Sequence, residues 1–118
     1  MILDEIPAER IYIALGNTDM RRSIDGLAAL VQQSFKLDPF TKSLYLFSGR
    51  SCDRMKALYW EGDGFLLLYK RLERGKYKWP KSETDVREIN ARQLRWLLEG
   101  LSIEQPKAIP ILPSVQIV

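Results

Sequence analysis

The sequence has 118 residues, of which 46% are hydrophobic, and its formal net charge is +3. This length fits one domain that can bury roughly two thirds of its unfolded surface without the help of a disulfide or a metal. The chain has no histidine and a single cysteine, Cys52. These counts exclude an internal disulfide, a histidine-based catalytic triad and an ordinary zinc site built from one chain.

The sequence shows no targeting signal and no segment that could span a membrane. Its first ten residues, MILDEIPAER, carry acids where a signal peptide carries bases. No uninterrupted apolar run is longer than that from Phe65 to Tyr69, which is far shorter than the ~20 residues that a membrane helix needs. Because an unpaired cysteine suits a reducing compartment, we expect a cytoplasmic protein.

The first half of the chain predicts a strand, a helix and a second strand. Arg10 to Leu15 is rich in strand-forming residues and is followed by Gly16-Asn17, which favours a stop. A helix is predicted next, from apolar residues that recur with a 3.6-residue period: Ile24, Leu27, Ala28, Val31 and Phe35. Ser43 to Ser48 has apolar side chains on both faces, which predicts a central strand covered on both sides.

The middle of the chain predicts three consecutive antiparallel strands, at 54–60, 65–73 and 76–79. Glu61 to Gly64 and Arg74-Gly75 are the turn signals between them. With a two-residue turn at Arg74-Gly75, one face of the second hairpin carries charges and the other carries aromatic rings. The charged face is predicted to hold Arg71, Glu73, Lys76 and Lys78, and the aromatic face Lys70, Leu72, Tyr77 and Trp79. The pattern therefore predicts a hairpin that projects from the core.

The last third predicts a polar loop at residues 81–88, a helix from Ala91 to Glu99, and an apolar tail. Asn90 is the predicted N-cap, with Gln93 in the capping-box position, and Gly100 is the predicted C′ residue. The tail, residues 102–118, carries three prolines and is punctuated too often for a helix. The sequence leaves three alternatives open for the tail: an edge strand, an irregular segment that lies along the surface of the domain, or a segment that binds a partner.

These elements together predict one α+β domain over residues 1–101, followed by the tail at 102–118. We expect an antiparallel sheet of about four to five strands that packs against the two helices. The sheet is expected to come mainly from residues 44–79.

Positive charge is concentrated in the stretch from Arg50 to Lys81, which has nine bases and four acids, whereas the chain on either side of it is net −1. Basic side chains neutralise DNA phosphates, and the aromatic rings between them are suited to stacking on bases. A solvated sheet face with its aromatics in the core is the alternative interpretation. The candidate nucleic-acid contacts are Arg21, Arg50, Arg54, Lys56, Lys70, Arg71, Arg74, Lys76 and Lys78, with aromatic support from Trp60, Tyr77 and Trp79.

A second charged cluster lies at the predicted strand-to-helix junction: Asp19, Arg21, Arg22 and Asp25. It suits either a phosphate or metal site at a helix N-terminus or a local arrangement of caps and ion pairs. A metal-dependent nuclease would require the carboxylates of Asp19 and Asp25 to converge.

Several segments, taken in order, resemble the small TnpB-like accessory protein (Orf2) of the insertion-sequence family numbered 66. The resemblance is carried by Thr18–Arg21 (TDMR), Asp25–Val31 (DGLAALV), Leu44–Arg50 (LYLFSGR), Asp53–Phe65 (DRMKALYWEGDGF), Leu68–Pro80 (LYKRLERGKYKWP) and Gln93–Gly100 (QLRWLLEG). It implies a role in DNA transposition beside a separate, larger transposase, and it carries over no catalytic residue.

We therefore expect a non-enzymatic accessory protein of insertion-sequence transposition that binds DNA through its basic region and needs no cofactor or metal. The expected partners are DNA at the element ends and a separate transposase, and self-association of the chain is left open. The alternative is a protein–protein adapter, which would use the aromatic face and the apolar tail to dock on the transposase without touching DNA.

Overall fold

The computed structural model describes residues 1–82 and 85–112. Its strands are β1 (Arg10–Ala14), β2 (Ser43–Ser48), β3 (Arg54–Trp60), β4 (Phe65–Arg71) and β5 (Val86–Ile89), and its helices are α1 (Ile24–Gln33) and α2 (Ala91–Leu98). A short 3₁₀ helix, Ile2–Glu5, precedes β1. The strands form one sheet in the order β4-β3-β2-β1-β5. The predicted α+β class, with two helices and up to five strands, is confirmed.

The sheet is mixed rather than wholly antiparallel. β1 and β2 are parallel, so that Ile11 pairs with Leu44 and Ile13 with Leu46. All other neighbouring strands are antiparallel. The prediction of an antiparallel sheet is wrong at this one pair. In the sequence, α1 connects β1 to β2, and it returns the chain to the end of the sheet at which β1 began, so that β2 runs in the same direction as β1.

Both faces of the sheet are covered. On one face, Leu27 and Val31 of α1 pack on Tyr45, Phe47 and Leu58. On the other, α2, the 3₁₀ helix and the segment after β4 pack over the inward side chains of β1 to β3. All six residues of β2 are buried between these layers, as the two apolar faces of that strand predicted.

The predicted strand at 76–79 is wrong. Residues 72–80 form an extended segment that crosses the end of the sheet without joining it as a strand. Tyr77 N–H donates to Cys52 O at 2.8 Å, and farther on Gly16 N–H donates to Pro80 O at 3.1 Å. The alternation of Tyr77 and Trp79 with lysines reflects the burial of every second residue, and such a pattern does not require a partner strand.

The strand at the β1 edge comes instead from Val86–Ile89, which pairs antiparallel with β1. The polar loop predicted at 81–88 is therefore wrong from Val86 onward. Arg87 and Glu88 are exposed at this edge, and their polarity gives the short strand the appearance of a loop in the sequence.

The predicted caps of α2 are confirmed, although the helix ends at Leu98, one residue before the predicted Glu99. Asn90 and Gln93 form the capping box, with Gln93 N–H donating to Asn90 Oδ1 at 2.8 Å and Asn90 N–H donating to Gln93 Oε1 at 2.9 Å. Gly100 has φ +82°, and Leu101 N–H returns to Trp96 O at 2.8 Å. This geometry is a Schellman motif, for which glycine is the usual C′ residue.

The chain remains packed on the domain just beyond α2, since Ile103 is buried in the core. The tail then becomes exposed at Ile109, Ile111 and Leu112, although the Arg92 guanidinium donates to Ile109 O. The remainder of the predicted tail, residues 113–118, lies outside the described residues.

Candidate nucleic-acid interface

The topology brings three loops that are distant in sequence to one end of the sheet. β1, β2 and β4 finish at this end, and β3 and β5 begin there. The chain at this end comprises residues 15–23, 49–54, 70–82 and Asp85. We call it the basic end.

Basic residues outnumber acidic ones at the basic end, where its described residues include ten cations and four acids. The cations are Arg21, Arg22, Arg50, Arg54, Lys70, Arg71, Arg74, Lys76, Lys78 and Lys81, and the acids are Asp19, Asp53, Glu73 and Asp85. At the opposite end, residues 6–10, 34–43, 60–65 and 89–90 carry three cations and four acids. The fold therefore separates charge along the strand direction and gives one end a positive potential.

An open cleft of about 530 Å³ lies within the basic end, between the β1–α1 loop and the β2–β3 turn. It is lined by Asn17, Thr18, Asp19, Met20, Gly49, Arg50, Ser51 and Arg54. The cleft lies at the carboxyl ends of the parallel pair β1 and β2, the position at which open sheets with parallel strands usually bind ligands. Thr18 N–H donates to Ser48 O at 2.8 Å and fixes one wall of the cleft to β2.

Asp19 and Arg21 form a local ion pair at the mouth of the cleft. The guanidinium donates to both carboxylate oxygens, at 3.0 Å and 2.8 Å, and Arg21 N–H donates to Oδ1 at 3.0 Å. These hydrogen bonds lower the pKa of Asp19 from 3.8 to about 2. Because the pKa is lowered, whatever the pair contributes to stability is present above pH 4 and is lost as the pH falls through about 2.

Of the two interpretations of this charged cluster, the structure therefore contains the local ion pair. The Asp19 carboxylate is occupied by Arg21. Within residues 1–82 and 85–112, no three His, Cys, Asp or Glu side chains are grouped closely enough to hold a metal ion.

Five cations of the basic end have exposed side chains with no hydrogen bond or ion pair to any other described residue: Arg50, Arg74, Lys76, Lys78 and Lys81. Two other cations, Arg54 and Arg71, have ion pairs with Asp53 and Glu73 but lie directly opposite each other on β3 and β4. Like charges at opposed positions of a sheet repel each other. An anion bound between them would relieve this repulsion.

Lys56 lies close to the basic end but its ammonium is already engaged. It donates to Arg22 O at 2.7 Å and lies 5.6 Å from the centre of the Tyr69 ring. Its contact with Arg22 holds the β1–α1 loop against β3, so that Lys56 supports the shape of the basic end.

The three predicted aromatic residues are not on the surface of the basic end. Tyr77 and Trp79 are only 3% and 6% exposed, so the predicted aromatic hairpin face is wrong and their rings belong to the core. Trp60 is at the far end of β3, roughly 20 Å from Arg54 at the strand rise per residue, where it contacts Phe40 and Phe65.

Six residues that line the cleft were not among the predicted nucleic-acid contacts: Asn17, Thr18, Asp19, Met20, Gly49 and Ser51. The order strand, helix, strand between residues 10 and 48 was the available signal, because such a unit commonly places its two strands in parallel. A cleft at their carboxyl ends then follows.

Comparison with known proteins gives one family and two relatives. A family model described as "IS66 Orf2 like protein" matches residues 9–108. Uncharacterized protein y4hO of Sinorhizobium fredii is 40% identical over 98 residues, covering 83% of this chain and 85% of that protein. Uncharacterized protein y4jC of the same organism is 32% identical over 102 residues, covering 86% and 87%.

No solved structure matches the chain significantly. Among the described residues, no helix has the length and apolar character required to cross a bilayer.

Proposed function

The chain belongs to the IS66 Orf2-like family of insertion-sequence-associated accessory proteins, and we propose that it acts in transposition by binding DNA through its basic end. It acts without chemistry of its own, beside a separate transposase. It contacts the DNA backbone chiefly through charge and helps to position the transposase at the ends of the element.

The observation that carries this proposal is the separation of charge by the fold. Ten cations and four acids share one end of the sheet, whereas the opposite end has a small acidic excess. Loops from three separate parts of the sequence contribute to this end. Repulsion between the unpaired cations costs stability, and phosphates remove that cost with release of counterions.

The cleft gives this surface a concave centre. Arg50 and Arg54 line it, and α1, whose N-terminus is the positive end of the helix dipole, begins four residues after Met20 of the cleft lining. A backbone phosphate fits this chemistry because guanidinium groups bind phosphate oxygens in a bidentate manner. Such contacts position a duplex without reading its sequence.

The test is a fluorescence-anisotropy titration of the protein against labelled duplex DNA at several salt concentrations. Element-end DNA and random DNA of equal length are compared, each with and without the transposase. We expect log K to fall linearly with log salt, with a slope of about −0.9 for each phosphate contacted.

The variant Arg50→Ala/Arg74→Ala/Lys78→Ala removes three exposed cations that have no partner among the described residues. We expect weaker binding and a slope shallower by about 2.7. The matched control, Arg10→Ala/Lys42→Ala/Arg95→Ala, makes the same charge change away from the basic end and should keep most of the slope. A folded triple variant with wild-type affinity and slope would place the DNA site elsewhere, and equal losses in both triples would indicate a general charge effect.

The exposed tail favours a second function, that of a protein–protein adapter. Ile109, Ile111 and Leu112 are 81%, 70% and 71% exposed, and large exposed apolar side chains in one segment suggest a docking surface. Binding of the protein to the transposase, measured with the same variants, distinguishes the two functions. An adapter would bind the transposase equally well with or without its basic-end cations, and the variant Ile109→Ser/Ile111→Ser would lose that binding.

A further inference from the structure

The β4 edge of the sheet is open. β4 is the last strand on its side, it spans seven residues, and its sequence FLLLYKR has no proline. Natural edge strands are usually protected by proline, by a bulge or by charges along their length. In β4 the only charges are the last two residues, so that its apolar centre is a template for another strand.

The backbone groups that face outward can be assigned from the pairing with β3. Leu72 N–H donates to Asp53 O and Glu61 N–H donates to Gly64 O, at the two ends of the β3–β4 ladder. In an antiparallel ladder, hydrogen-bonded pairs alternate along the strand, and Leu66, Leu68 and Lys70 therefore bond to β3. The N–H and C=O groups of Phe65, Leu67, Tyr69 and Arg71 point away from the sheet.

The side chains along this edge are apolar and incompletely covered. Leu66, Leu67 and Leu68 are partly exposed, and Tyr69 is 55% exposed. An apolar groove of about 310 Å³ runs beside the strand, lined by Met1, Ile2, Leu3, Met55, Ala57, Leu68, Tyr69 and Lys70. A strand added at this edge would cover these side chains and place its own in the groove.

We propose that the occupant of this edge is a second copy of the chain, whose β4 pairs antiparallel with the first around a two-fold axis at Leu68. In this register Phe65 opposes the partner's Arg71 and Leu67 opposes the partner's Tyr69. All four outward residues then exchange backbone hydrogen bonds. A shift of two residues in either direction leaves some of these groups unpaired.

Charge selects the antiparallel orientation. The turn before β4 is acidic, with Glu61 and Asp63, whereas residues 70–74 at the end of the strand carry three bases and one acid, Glu73. Antiparallel pairing brings the acidic turn of each copy beside the basic strand end of the other. Parallel pairing would bring like charges together, which is unfavourable.

The first test measures the mass of the protein by sedimentation equilibrium over a range of concentrations. We expect a dimer of twice the 13.7 kDa chain mass. Tyr69→Lys, at a largely exposed position, should weaken the dimer at least about tenfold, because each copy then places a charge against the partner's leucine. Ile111→Lys makes the same kind of change in the tail and should leave the dimer intact.

A wild-type chain that is monomeric at all concentrations would refute the proposal. So would a dimer that is lost in Ile111→Lys and kept in Tyr69→Lys, since its interface would then involve the tail. Far-ultraviolet circular dichroism establishes that each variant is folded before its mass is interpreted.

The second test fixes the register with cysteine cross-links. Leu68 opposes its own copy in a non-hydrogen-bonded pair, where Cα atoms are about 4.5 Å apart, a distance that suits a disulfide. Cys52→Ser/Leu68→Cys should form covalent dimers on mild oxidation. In the control, Cys52→Ser/Leu66→Cys, the two cysteines are four residues out of register, roughly 13 Å apart, and should not cross-link. Equal cross-linking of both variants, or of neither, would contradict this register.

The dimer would also have a consequence for DNA, which rests on the proposed function. Because the two copies of β4 run in opposite directions, their basic ends lie at opposite poles, and one dimer could hold two duplex segments. Wild-type protein should therefore recover a labelled duplex on beads that carry an unlabelled one, and Tyr69→Lys should bind DNA without bridging. If DNA binding fails altogether, the mass and cross-linking results still decide whether the dimer exists.

Discussion

Tyr77 and Trp79 illustrate how differently two buried aromatic residues satisfy their polar atoms. Both rings belong to the core on the α2 face. The Trp79 indole N–H donates to Ala14 O at 2.8 Å. The Tyr77 hydroxyl is buried and has no hydrogen-bond partner among the described residues, and burial raises the pKa of its phenol. The hydroxyl therefore loses its contacts with water without compensation.

This difference gives a prediction for each residue. Tyr77→Phe removes an uncompensated hydroxyl and should leave the free energy of unfolding unchanged or raise it by up to about 1 kcal/mol. Trp79→Phe leaves Ala14 O without its indole donor and should lower the free energy of unfolding by about 1–3 kcal/mol. Urea unfolding followed by circular dichroism measures both. A loss in Tyr77→Phe as large as that in Trp79→Phe would show that the Tyr77 hydroxyl has a partner after all.

At the scale of elements, the β1–α1 loop and the β2–β3 turn interlock to form the cleft. A Cβ atom at Gly49 would lie 2.7 Å from Met20 Cγ, closer than two carbon atoms approach. Glycine at this position allows the two segments to lie against each other while Met20 keeps its side chain there. The shape of the cleft therefore depends on the close approach of the Met20 side chain to Gly49 as well as on its arginines.

Gly49→Ala should lower the free energy of unfolding by about 1–3 kcal/mol, because the new methyl group is forced against Met20. Adding Met20→Ala should restore part of this loss, which a double-mutant cycle measures as coupling. Gly64→Ala is the matched control, since nothing lies within 4 Å of its Cβ position, and it should be nearly neutral. Additive effects of the Gly49 and Met20 substitutions would show that the two do not touch.

Over the whole molecule, charge is distributed in a way that favours binding at the expense of stability. Arg54 and Arg71 oppose each other on adjacent strands. The only acids near them within the described residues are Asp53, 3.8 Å from Arg54, and Glu73, 3.1 Å from Arg71. These exposed ion pairs contribute little. A surface arranged for stability alone would alternate the two signs.

Arg54→Gln tests this distribution. We expect the free energy of unfolding to stay the same or rise by a few tenths of a kcal/mol, because a repulsive cross-strand pair is lost. The same substitution should make the salt slope of DNA binding shallower by about 0.9. Arg10→Gln, which removes the ion pair with Glu88 at the other end of the sheet, should leave that slope unchanged. A destabilised Arg54→Gln with a wild-type slope would indicate that Arg54 is a structural residue.

Much of this architecture follows from the sequence because its signals are local. Apolar residues that recur with a helical period predict both helices. The strands β2 and β3 begin and end where the sequence pattern predicts. The capping box at Asn90 and the glycine at the end of α2 depend only on nearby residues. The sequence also located the surplus of positive charge, and the short motifs along it identified the family that the comparison confirms.

Only the tertiary structure decided which strands pair and which side chains the basic end contains. The parallel pair β1–β2, the edge strand Val86–Ile89 and the crossing segment at 72–80 depend on contacts between residues far apart in the chain, which no local pattern encodes. These contacts bring Arg21 beside the basic stretch and place Trp60 at the opposite end. They also bury Tyr77 and Trp79, because a ring beside the core gains more from burial than from facing water. Local residues thus fixed the elements and the charge, and long-range packing fixed the surface on which that charge appears.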